Sequence, residues 1–134
     1  MKLKRKLPAY NLQELLVVLV IIGILVLIAV PSFMGMVNSA KSLEAKQQLK
    51  AIYAFQKNRF YMYNSYSLDF EAIDFIPPKT IQEGGDAHYT YEIIEATNST
   101  FKARATATFD SDSDGVRSVW EIDQEGMPKE VVKD

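Results

Sequence analysis

The chain has 134 residues, 48% hydrophobic and 24% charged, with a formal net charge of -2. That length supports one small domain, and the near-neutral charge argues against nucleic acid as a primary ligand. With no cysteine and a single histidine, His88, disulfides, thiolate metal sites, cysteine nucleophiles and two-histidine metal motifs are excluded, and no catalytic constellation is present.

The apolar residues are unevenly placed. Residues 1–9 carry four cations, Lys2, Lys4, Arg5 and Lys6, and Leu15 to Val30 is apolar with one glycine. No charge occurs between Glu14 and Lys41. Basic residues before an apolar run stay on the cytoplasmic side of a membrane, as in a secretory signal peptide or a single-span anchor. A signal peptide needs small residues after its apolar stretch. Pro31-Ser32-Phe33-Met34 supplies a poor match. Glu14, at the head of the run, argues against both of these readings. A carboxylate there costs on the order of 1–3 kcal/mol, so a partner for it is expected.

Beyond Lys41 the pattern stays helical and becomes amphipathic. Leu49, Ile52, Tyr53, Phe60 and Tyr63 share one face at helical spacing. One helix is predicted from Tyr10 to about Tyr61, roughly 75–80 Å long, bent near Pro31. Residues 64–87 are irregular, with a helical turn expected between Asp69 and Phe75. Period-two alternation then predicts a strand through Tyr89, Tyr91 and Ile93 and a second from Phe101 to Phe109, joined by the Asn98-Ser99 turn. A third strand is expected over Val116 to Ile122 and a short edge strand over Glu130 to Lys133. The fold class is therefore α+β, a long N-terminal helix over a small antiparallel sheet. Its helix has a membrane half and an amphipathic half. The small side chains of Ala103, Ala105 and Ala107 would let helix and sheet approach closely.

Asp110-Ser111-Asp112-Ser113-Asp114-Gly115, with Glu121 further on, formally satisfies a calcium-loop pattern. The flanking strands do not suit an EF-hand, and Arg117 stands where such a loop wants an aliphatic residue. Asp110, Asp112 and Asp114 are the candidate calcium ligands, and a solvated Asp/Ser/Gly turn is the alternative. No other cofactor is required.

The segment from Pro8-Ala9-Tyr10-Asn11-Leu12-Gln13-Glu14 into Leu15-Leu16-Val17-Val18 resembles the class III signal of type IV pilins and type II secretion pseudopilins. In that family a basic leader ends in a small residue, an aromatic residue opens the mature chain, and a glutamate stands fifth. Gly23 and Pro31 also fit the family's positions. Ala9 stands where glycine is usual, and Tyr10-Asn11 replaces the usual Phe-Thr. The resemblance implies a ladle-shaped pilin fold in three parts: a cleaved leader over 1–9, an apolar membrane and filament-core helix over 10–40, and a soluble domain over 41–134. It implies cleavage between Ala9 and Tyr10 by a prepilin peptidase, N-methylation of Tyr10, and assembly through Glu14, Gly23 and Pro31. The implied partners are identical or related pilin subunits and an inner-membrane assembly platform with its ATPase. The implied location is the bacterial inner membrane, as a single-pass precursor with its C-terminal domain outside the cytoplasm. From there the subunit enters a periplasmic or extracellular filament. The function expected is thus that of a structural subunit, not an enzyme. The alternative is a membrane-anchored calcium-binding module that never polymerises.

Overall fold

A computed structural model describes residues 12–134. The expected helix start at Tyr10 lies outside these residues. Helix α1 spans Leu12–Tyr63, and Pro31 lies inside it without ending it. The chain divides into two compact units, one up to Val37 and one from Asn38 to Asp134.

In the first unit every described large apolar side chain from Leu12 to Met36 is exposed. The segment is long and apolar enough to cross a membrane. Leaving such side chains in water costs about 1.5–3 kcal/mol each, so this unit requires an apolar surrounding.

The second unit holds the core. A short 3₁₀ turn, Glu71–Ile73, falls where a helical turn is expected. A second, Ile81–Glu83, follows in the same loop. The sheet is an antiparallel meander in the order β1 (Tyr89–Ala96), β2 (Phe101–Ala107), β3 (Val119–Asp123), β4 (Lys129–Val132). The register places Tyr91, Ala105 and Trp120 in one row across three strands, and Ile93, Ala103 and Ile122 in the next. Large side chains therefore line both sides of an alanine track on the central strand. Ala45, Leu49 and Ile52 of α1 join Ala103, Ala105 and Ala107 in the same buried cluster. Helix and sheet thus share one core, with the alanines of β2 on its sheet side.

Several details depart from the sequence reading. Tyr63 lies 65% exposed at the helix end, off the predicted core stripe, whereas Tyr53 and Phe60 do pack against the core. The position between Ile52 and Phe60 is instead filled by Gln56, which is fully buried. β2 stops at Ala107, two residues before Phe109, and β3 begins three residues after Val116. The delay has a local cause, because the N–H of Val116 donates to Asp114 Oδ1 and holds the chain in a turn.

Polar links fasten the loops to α1, with Lys57 Nζ donating to Tyr66 Oη and Arg59 Nη1 to the Ala72 carbonyl, and two of them are paired contacts. Gln56 Nε2 donates to the Ser67 carbonyl at 2.7 Å, and the Ser67 N–H donates to Gln56 Oε1 at 3.1 Å. Glu44 accepts from the His88 N–H at 3.0 Å and lies 2.9 Å from His88 Nδ1. We expect Gln56→Ala to destabilise the domain by about 2–3 kcal/mol, through one cavity and two backbone groups left unpaired. Thermal unfolding of the full chain in detergent, with loss of the near-ultraviolet aromatic signal as readout, checks this.

Candidate functional site

Two places concentrate chemistry, one in each unit. In the first unit, Glu14 sits in the first described turn of α1, exposed among Gln13, Val17 and Val18. It forms no hydrogen bond or ion pair with any described residue. Tyr10, whose amine the resemblance makes its partner in a neighbour, and Ala9 lie outside the described residues. An ionised carboxylate on an apolar helix is tolerable only beside a countercharge or at a wet boundary. Gly23 stands further along the same helix. A Cβ built there would meet nothing within 4 Å. The fold of a single chain therefore gives no reason for a glycine in this helix, where it costs about 1 kcal/mol relative to alanine. Pro31 likewise removes one helix hydrogen bond and offers no local compensation.

In the second unit the acidic turn follows β2. Asp110 binds the turn from within, Oδ1 accepting from the Ser113 N–H and Oδ2 from the Gly115 N–H, both at 2.7 Å. Ser113 and Gly115 both take positive φ, 63° and 88°, which closes the loop. The Gly115 N–H, followed by those of Ser113, Asp114 and Asp112, holds the Asp110 carboxyl below its ordinary range. Asp112 differs. The Asp114 N–H pulls its carboxyl down, but partial desolvation and the charges of Asp114, Asp134 and Asp110 outweigh this and push it up.

The structure brings the three predicted aspartates together and adds a fourth. Asp134 Oδ2 accepts from the Ser111 N–H at 2.8 Å, and one carboxylate oxygen from each of Asp110, Asp112, Asp114 and Asp134 lies within 4.8 Å of the others. Its other oxygen, Oδ1, is buried and has no hydrogen-bond partner. Nothing local in the sequence signals this fourth residue, which arrives because β4 returns along β3, with Val119 opposite Val132. Glu121, the formal last ligand of the calcium-loop pattern, is not in the group. It faces Arg104 across the sheet, at 2.7 Å from Nη2 and 3.0 Å from Nε. The EF-hand form of the pattern is therefore excluded, while the aspartate cluster stands.

No family model matches the chain. The chain is similar to the type IV major pilin protein PilA of Myxococcus xanthus (strain DK1622), at 41% identity over 70 residues. The match covers 52% of this chain and 32% of that protein, so it spans about a third of the relative's length. Together with the apolar N-terminal helix and the C-terminal antiparallel sheet, this bears out the resemblance to type IV pilins.

Proposed function

We propose that this pilin-like chain is the structural, non-enzymatic subunit of a type IV pilus filament. One observation carries the reading: the apolar half of α1, exposed from Leu12 to Met36, has one charge among its described residues, Glu14, and that charge has no partner among them. A bilayer explains the apolar surface alone. A helical bundle of identical chains explains the surface and the carboxylate together. The likeness to a protein named a major pilin favours a pilus over a type II secretion pseudopilus.

The resemblance to pilins implies the steps. A prepilin peptidase cuts between Ala9 and Tyr10 on the cytoplasmic side, and the new Tyr10 amine is methylated, which keeps its positive charge. In the bilayer the apolar half of α1 is the anchor. An inner-membrane platform and its ATPase then move the subunit into the filament, where the apolar helices bundle. Glu14 pairs with the Tyr10 amine of a neighbour. Two charges that are costly alone become tolerable together, and the pair fixes axial register more than it adds stability. The open space at Gly23 suits close approach of a neighbouring helix, the usual reason for small residues between apolar helices. Pro31 leaves a helix stretch weak enough to extend on assembly.

The test is the intact mass of filament protein. Loss of residues 1–9 with gain of one methyl group is expected, and Ala9→Leu should leave the precursor uncut, because the peptidase takes a small residue there. A mature N-terminus beyond Val30 would show ordinary secretory cleavage and overturn the reading.

A second proposal attaches to the acidic turn. The buried, unpartnered Asp134 Oδ1 and the crowding of four carboxylates support a calcium ion held by Asp110, Asp112, Asp114 and Asp134. A ligand that binds only the folded state stabilises it by RT ln(1 + [L]/Kd). Millimolar calcium should therefore raise the thermal midpoint of the full chain by several degrees over the chelated protein. Asp112→Ala with Asp114→Ala should remove the difference. An equal midpoint with calcium and with chelator would leave a plain turn closed by its own N–H groups.

A further inference from the structure

The charges of the second unit are segregated. Along α1 from Asn38 to Tyr63 there are five cations and one acid, and that acid, Glu44, is turned to His88. None of the five has a carboxylate within ion-pairing distance among the described residues. Lys41, Lys46, Lys57 and Arg59 rest over aromatic rings. Among the described residues Lys50 has not even that contact. The helix face opposite the core runs through Leu43, Lys50, Ala54 and Tyr61, at 3.6-residue spacing, with Lys46 beside them. All five are exposed, Leu43 by 53% and Tyr61 by 79%.

The loop between α1 and β1 has the opposite character. Residues 64–88 hold five acids and one lysine. Asp69, Glu71 and Asp74 are exposed within six residues, and two exposed apolar side chains bracket them, Leu68 at 60% and Ile76 at 88%. Each surface thus combines apolar anchors with unpaired charge, and the signs are opposite. Large exposed apolar side chains rimmed by polar ones mark contact surfaces.

We infer that the Leu43–Tyr61 face of α1 docks on the Leu68–Ile76 segment of a second copy of the same chain. The inference rests on the subunit reading above and names a contact that reading does not contain. Charge complementarity selects the partner. In a filament the acidic loop of a neighbour is at high local concentration, so weak complementary contacts suffice. A polyanion such as nucleic acid would meet the lysines but be repelled by the acids and would leave the apolar anchors of the loop uncovered.

Charge exchange in cells tests this, with filament number and length read by electron microscopy and subunit level in the membrane by immunoblot. Lys50→Glu alone and Glu71→Lys alone should each reduce filaments about tenfold, the equivalent of one like-charge contact, with unchanged membrane level. The double variant in one chain should restore them, because the pair is complementary again. Lys50→Gln and Glu71→Gln, which remove charge without reversing it, take their place if a reversal lowers the membrane level. There the coupled expectation is a double variant no worse than either single. Normal filaments from both single variants, or a double worse than either, would overturn the contact. Normal filaments from Lys50→Glu with lost retention on heparin would assign the face to a polyanion and also overturn it. Absence of filaments from the unmodified chain would instead sink the subunit reading itself.

Discussion

Cells making Glu14→Ala at normal level should bear no filaments, or only short ones. The change should leave the second unit intact, because Glu14 has no bond to any described residue and the buried core starts at Ala45. It should leave membrane insertion intact or improve it, since a polar cost disappears. In the proposed pairing, what it removes is the countercharge for a neighbour's Tyr10 amine. An unpaired charge buried in an apolar bundle costs roughly 3–5 kcal/mol, and the cost recurs at every subunit. Electron microscopy of sheared surface material, with membrane level as control, is the measurement. A non-polymerising anchor predicts no phenotype. Filaments of normal number and length would overturn the pairing while leaving the pilin resemblance in place.

Ala105→Leu should be among the most damaging substitutions in the second unit. Ala105 is fully buried on the central strand, between Tyr91 on one side and Trp120 on the other. It belongs to the same buried cluster as Ala45, Leu49 and Ile52 of α1. A leucine must push the helix off the sheet or force its large neighbours out of their rotamers. Overpacking of this kind costs about 1–3 kcal/mol and more where backbone must move, which for a domain this size lowers the midpoint by about 10 °C or more. Ala105→Gly, which removes volume instead, should cost only the smaller penalty of glycine in a strand. Thermal unfolding of both variants separates crowding from a general intolerance at the site. A leucine variant as stable as the parent would show that the helix does not lie on the alanine track.

Much of this was legible in the sequence. The alternation of Phe101, Ala103, Ala105 and Ala107 fixed β2 because only period two buries one face and exposes the other. The leader, Glu14, Gly23 and Pro31 carried the resemblance to pilins, and their part in assembly is what that resemblance implies and what the Glu14→Ala experiment tests. What failed to show depended on long-range pairing or on polar burial. Gln56 reads as a surface residue by type, although its spacing from Leu49 and Ile52 puts it on the buried stripe. Its burial needs Ser67, eleven residues away, to satisfy both ends of the amide. Asp134 enters the acidic cluster only because β4 pairs with β3. Tyr63 continues the apolar spacing but lies at the last turn of α1, where the exposed helix end leaves it 65% accessible.

The alanine track has a mechanical consequence. Methyl groups make a smooth bed with few ridges, so apolar packing there resists separation of helix and sheet far better than sliding along the helix axis. Axial position is set instead by polar pins, Glu44 on His88 and Gln56 on Ser67, with Lys57 on Tyr66 and Arg59 on the Ala72 carbonyl beyond them. The first two are twelve residues apart, about 18 Å along the axis. When tension enters the domain through α1, those few hydrogen bonds carry the shear together, and the first to break hands its load to the others. The force at which the helix slides in this domain is therefore governed by a few polar side chains of α1 rather than by the size of the core.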